Sequence, residues 1–132
     1  WGFIVDRIGA KISLVIVLGI WFLVLIICAC MPLFDLNKNL WFLIGVITGV
    51  VISGVWASDR LYMITLIPDK NSLGQYLGYH AVTGRLASIF GPFSWGYIST
   101  TLGLGQIPAV LTLAIFSLIA VILIVGIRNT TA

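Results

Sequence analysis

The sequence predicts an all-α, polytopic membrane domain with four membrane-crossing helices. Three observations predict it. Of the 132 residues, 61% are hydrophobic and 8% charged, with a mean hydropathy of +1.18, whereas soluble domains carry about 25% charged residues. Uncharged apolar runs recur along the chain. A helix needs about 20 such residues to cross a bilayer, so the length holds about four crossings with their connections. Finally, Lys and Arg gather on one side of that arrangement. A water-soluble sphere of this size could not hide so much apolar surface. Cys28 and Cys30, the only cysteines, lie inside an apolar run, which excludes a secreted disulfide scaffold. The seven Lys and Arg form no stripe or cluster, which excludes a nucleic-acid partner.

Residues 1–132 read as one membrane unit. Residues 1–11 hold Asp6, Arg7 and Lys11 in a short polar stretch, expected as a loop. This opening lacks a targeting pattern and an initiator Met, and the expectation is that the chain is a piece of a longer protein. The first span covers about 12–34 and is stopped by Met31-Pro32, because Pro cannot continue the hydrogen-bond ladder and disfavours helix at the residue before it. A polar turn over 35–39 follows. The second span covers about 40–67; it is uncharged to Ser58, then meets Asp59 and Arg60, where it is expected to leave the hydrocarbon and project into the interface. A loop at 68–71 follows, containing Pro68. The third span, about 73–99, opens on Ser72 with Gln75 three residues on, the pattern of a capping box. Gly91-Pro92 predicts a kink within it. Gly103 and Gly105 mark a turn. The fourth span, about 107–127, carries Pro108 in its first turn, where the missing N–H costs little. Residues 128–132 form a polar tail.

Orientation follows from the cations. The side with the first segment, the second-to-third connection and the tail has Arg7, Lys11, Arg60, Lys70 and Arg128, five in all, against Lys38 alone on the other. The positive-inside rule makes the first side cytoplasmic. Both ends are then cytoplasmic, as an even number of crossings requires.

Small residues recur four apart. Gly45, Gly49, Ser53 and Ala57 line one face of the second span; Gly74 and Gly78, then Gly84, Ser88 and Gly91, mark the third. Such faces let helices approach closely. They serve plain packing or a surface that rocks between states, and spacing alone does not separate the two.

A few polar groups stand where they are costly. Arg85 lies twelve residues past Leu73, about 18 Å along the helix and near the bilayer middle. A charge there costs at least about 2.5–3.5 kcal/mol, so it is expected to face protein or water and to have an anionic partner. That partner is an anionic substrate group, a carboxylate exchanged between states, or a permanent structural ion pair. His80, five residues earlier, points about 140° away from Arg85. It either exchanges a proton near neutral pH or donates one hydrogen bond to a neighbouring carbonyl. Asp59 and Arg60 face about 100° apart and are expected at the cytoplasmic mouth, in an interfacial pair with Asp69 or Lys70 or as a gate or substrate contact. No metal-ligand cluster, cofactor motif, Ser-His-Asp order, HExxH or phosphate loop is present, so neither an enzyme nor a cofactor is expected. The chain has no Glu, which removes the proton-exchanging carboxylate that small four-helix multidrug exporters rely on.

Two stretches carry a resemblance. Gly2-Phe3-Ile4-Val5-Asp6-Arg7-Ile8-Gly9-Ala10-Lys11 resembles the G-x-x-x-D-R-x-G-x-K loop signature of the major facilitator superfamily. Leu66-Ile67-Pro68, Gly74-Gln75-Tyr76-Leu77-Gly78-Tyr79, Thr83-Gly84-Arg85, Gly91-Pro92 and Trp95-Gly96 resemble its vacuole-effluxer-like branch. The resemblance implies that the four spans are helices nine to twelve of a twelve-helix fold, whose partners are the remaining helices, the lipid bilayer and a small-molecule substrate. It implies secondary active transport by alternating access in the cytoplasmic membrane of a prokaryote; amino-acid efflux comes with the branch name. It also implies that Asp6 faces a neighbouring helix N-terminus, that Arg7 and Lys11 hold phosphate headgroups or acids on adjacent helices, and that Gly2 and Gly9 permit the tight turn. Arg85 matches the branch's basic position and Arg60 matches a Ser-Arg pair. Asp59 departs from that pair, Gln75 stands where Glu is usual, and His80 where an aromatic is usual. The competing reading is a non-transporting four-helix membrane subunit or assembly module.

Overall fold

The structure is a computed structural model that describes residues 1–32, 39–67 and 69–127, and it is all-α. The helices are α1 (Gly2–Ile8), α2 (Ala10–Cys30), α3 (Asn39–Leu66), α4 (Leu73–Gly96) and α5 (Gln106–Gly126). A 3-10 turn, Lys70–Ser72, leads into α4, and a π-helical turn, Tyr97–Thr101, follows it. Three of the helices, α2, α3 and α5, are long and apolar enough to cross a membrane. Among the described residues α4 does not join them. It has 24 residues, but Gln75, His80, Arg85 and five glycines dilute its apolar content. Lys38, Pro68 and the tail with Arg128 lie outside the described residues, as does most of the turn expected over 35–39.

The opening segment departs from the expected loop. Residues 2–8 are helical, and of this turn Val5 is buried while Phe3 and Ile4 stay exposed. Gly9 ends this turn at φ +85°, a backbone conformation that glycine adopts without steric cost, and α2 starts immediately after it. Trp1 reaches α3, where its indole Nε1 donates to the Val50 carbonyl at 2.8 Å. Arg7 lies over the Phe3 ring, 4.8 Å from its centroid, rather than on an acid.

The centre of the molecule is α2, which packs against α5 on one side and α3 on the other. Both neighbours run antiparallel to it. Ser117 Oγ of α5 donates to the Leu18 carbonyl at 3.2 Å, and Lys11 Nζ donates to the Ile127 carbonyl at the far end of α5. The buried face of α5 is small, made of Ala109, Ala114 and Ser117, so the two backbones come close enough for that cross-helix hydrogen bond. Against α3 the tight point is Gly54. A β-carbon there would lie 2.5 Å from Trp1 Cε2 and 2.8 Å from Val17 Cγ2. The buried residues of α3 are Val51, Gly54, Ser58 and Tyr62, a helical spacing that defines one face.

The expected small-residue seams are not the packed ones. A β-carbon at Gly45, Gly49, Gly74 or Gly78 would meet nothing within 4 Å. On α3 the bulky face through Val51 and Tyr62 wins because it buries more apolar area, and α4 has no buried residue. The capping box is not formed either. Ser72 Oγ donates to the Asp69 carbonyl at 2.8 Å, inside a turn in which Asp69 Oδ1 accepts the Asn71 N–H at 3.0 Å. This local turn competes for the Ser72 side chain and wins. Helical structure runs through Gly91-Pro92 as far as Gly96, and the departure from α-geometry comes after it, in the π turn.

Candidate functional site

Helices α3 and α4 are neighbours in sequence yet pack little on each other. Between them lies a cleft of 760 Å³ lined by Trp56, Asp59, Arg60, Ile64, Leu77, His80, Ala81 and Gly84. The lining follows from helix periodicity. Leu77, His80, Ala81 and Gly84 fall on one face of α4 at i, i+3, i+4 and i+7, and Trp56, Asp59, Arg60 and Ile64 on one face of α3 at i, i+3, i+4 and i+8.

The cleft's chemistry centres on one contact. His80 Nε2 and Asp59 Oδ2 are 2.9 Å apart, with both side chains partly exposed. The pairing follows from equal spacing to the two facing helix ends. Asp59 lies seven residues before Leu66, the end of α3, and His80 seven residues after Leu73, the start of α4. At about 1.5 Å per residue both stand about 10 Å from the turn, and antiparallel helices bring them level. Trp56 and Gly84 both line the cleft, and no atom lies within 4 Å of a would-be β-carbon at Gly84.

Asp59 therefore pairs with the histidine on the next helix, not with the loop residues expected from its position. Asp69 is engaged in its own turn. His80 faces a carboxylate where a backbone carbonyl was one expectation. Arg60 lines the same cleft, and among the described residues it has no ion-pair partner. Arg85 is exposed and likewise lacks the expected anionic partner among the described residues; its carbonyl accepts Ser88 Oγ at 2.7 Å. The residues thus fall in two sets: Asp59, Arg60 and His80 meet in the cleft, and Arg85 stands apart from its lining. Trp56 was not singled out from sequence. The signal that finds the Asp59–His80 pair is the mirror register about the turn.

In the signature segment, Lys11 sits on the α5 C-terminus, where a cation is favoured by the helix dipole and free carbonyls. That replaces the acid or headgroup expected for it. Asp6 is exposed on α1 and makes no helix-capping contact. Among the described residues no group of His, Cys, Asp and Glu could hold a metal ion.

Fold and site together define a helical, membrane-type chain with a charged cleft between two of its helices. Against known proteins, no family model matches the chain and no solved structure matches it. An uncharacterized protein of Aquifex aeolicus (strain VF5) is 25% identical over 97 residues, covering 74% of this chain and 24% of that protein. The chain thus spans about a quarter of the length of the curated relative it matches, and that relative is about 400 residues long.

Proposed function

We propose that this chain forms part of a secondary active transporter that moves a small solute across a membrane by alternating access. It supplies the last four of twelve helices in a major facilitator-type fold, related to the vacuole-effluxer-like branch. The observation that carries this reading is the α3–α4 cleft, where Asp59, Arg60 and His80 open into a gap between helices of a strongly apolar chain. Ionisable groups facing a gap between apolar helices are costly where lipid surrounds them and mark solute or ion pathways. Sites between helices that meet loosely are those that rocking motions can open and close.

Other features support the same reading. On this proposal α4 is the fourth crossing, and it tolerates Gln75, His80 and Arg85 because it faces protein and solute rather than lipid. The open glycine faces at Gly45, Gly49, Gly74 and Gly78 suit helices contributed by the rest of the protein. A relative of about 400 residues has room for about twelve crossings. The cation count supports a prokaryotic cytoplasmic membrane with the start of α2 and the end of α5 inside. Lys11 does place those two ends side by side. The branch name brings amino-acid efflux as the first substrate class to try.

The test is flux in proteoliposomes of the full-length protein with a panel of amino acids. Arg85→Ala is expected to lower flux at least tenfold while insertion and yield are unchanged. Wild-type flux in that variant removes Arg85 from the mechanism. No solute flux under any gradient, together with a start codon shortly upstream of Trp1, supports the four-helix subunit instead.

A further inference from the structure

We propose that the α3–α4 cleft binds a small organic anion with an apolar body together with one proton, the acid group on Arg60 and the proton on His80. The anion site stands on the cleft; its coupling to a proton, and the coupled movement of the two, rest on the transporter reading above.

The argument is one of charge. The cleft lining holds three ionisable side chains, Asp59, Arg60 and His80. Asp59 is taken up by His80 at 2.9 Å, and Arg60 has no carboxylate partner among the described residues. With His80 neutral, the Asp59 and Arg60 charges cancel. With His80 protonated, the Asp59 carboxylate is matched by the imidazolium and the Arg60 charge is left over. An anion on Arg60 restores neutrality. In this chain Asp59 and His80 are partly exposed and Arg60 is exposed, so the charge argument applies where the further helices of the transporter reading cover the cleft; uncompensated charge is disfavoured there, and the two neutral states are the empty cleft and the cleft holding both proton and anion. Proton and anion therefore promote each other's binding, and the coupling is reciprocal.

Among the described residues no further carboxylate lines the cleft. Helix α5, packed on α4, has no ionisable side chain. Tyr76, Tyr79 and Arg85 of α4 lie outside the cleft lining, and Tyr97 of the π turn is stacked on Phe93 at 6.2 Å. Of the turn before α4, Asp69 accepts the Asn71 N–H, and Lys70 stands ten residues before His80 in sequence.

The ligand class follows from the walls. A guanidinium fork matches the planar or tetrahedral oxygens of a carboxylate or phosphate. Trp56, Ile64, Leu77 and Ala81 give apolar surface for the body, and 760 Å³ lies within the range of small-molecule sites. A phospholipid headgroup offers the same oxyanion to Arg60; we commit to the free solute.

The probe is 4-fluorobenzoate, followed by fluorine NMR on the full-length protein in phosphatidylcholine nanodiscs at pH of about 5.5 and about 8.0; a benzoic acid is ionised at both. Binding about tenfold tighter at the lower pH is expected, with 4-fluorobenzyl alcohol not bound. The variants separate roles by sign. Arg60→Gln loses binding at both pH values. His80→Gln binds weakly at both. Asp59→Asn binds tightly at both, because Arg60 is then uncompensated whatever the state of His80, and this gain of binding at high pH is not a result that misfolding gives. Equal binding at the two pH values in the wild type, equal binding of the alcohol, or wild-type binding by Arg60→Gln overturns the proposal. Loss of probe binding when half the lipid is phosphatidylglycerol assigns Arg60 to headgroups and also overturns it. Binding in this pattern without 4-fluorobenzoate flux in proteoliposomes keeps the site and breaks the transporter reading. Amino-acid flux that persists in Arg60→Gln, with no probe bound, keeps the transporter reading and breaks the site.

Discussion

The two sides of α3 are built differently. Toward α2 it presents Val51, Gly54, Ser58 and Tyr62, all buried, and a glycine so tightly enclosed that a single methyl group would collide with Trp1 and Val17. Toward α4 it presents Trp56, Asp59, Arg60 and Ile64 around a cleft, against a helix with no buried residue. The first interface is held by shape. The second is held by one polar contact and leaves space. Small residues alone do not make a seam: Gly54 packs because a large ring from another segment lands on it, while Gly49 and Gly45, five and nine residues earlier, meet nothing. A tight face resists relative motion more than a loose one does.

The comparison breaks most visibly at Gly54. Gly54→Leu is expected to destabilise the chain by about 2–3 kcal/mol through overpacking, read as a lower thermal unfolding midpoint in nanodiscs. Gly49→Leu is expected to leave that midpoint unchanged in this chain, and in the full-length protein to lower yield or flux if further helices pack there. Equal effects of the two substitutions in this chain would erase the distinction between the faces. A smaller loss, about 0.3–1 kcal/mol, is expected from Lys11→Met, which frees the carbonyl end of α5; Lys11→Arg should restore the midpoint, and raised salt should shrink the difference. The smallest effect belongs to Ser58→Ala. The Ser58 hydroxyl is buried and, like those of Ser13 and Tyr62, has no hydrogen-bond partner. Removing it should be neutral or slightly stabilising, and a loss above about 1 kcal/mol would reveal a water or side chain that satisfies it.

Much of the fold is legible in the residues. The starts and ends of α3, α4 and α5 fall within a residue or so of where Pro, Gly and the apolar runs place them, except where α4 passes into the π turn. Those boundaries are local matters of propensity and backbone freedom. The polar segment before α2 is less legible. Asp6, Arg7 and Gly9 suggest a loop, yet residues 2–8 are helical and Val5 is buried. The site is half legible. Asp59, Arg60, His80 and Arg85 are conspicuous because charge is rare in this chain. Which of them meet depends on the register across the turn, and that had to be measured from both helix ends at once.

Composition and periodicity by themselves determined the helical, membrane-type character of the chain and its short inventory of costly polar groups, because hydrophobicity and helix geometry act over a few residues. Tertiary structure decided which faces pack and which charges pair. A helix of 28 residues such as α3 carries two or more plausible faces, and the choice between them depends on volumes offered by other segments: Trp1 against Gly54, Leu18 against Ser117, and His80 against Asp59. These contacts join residues far apart along the chain, and no local pattern encodes the distance between them.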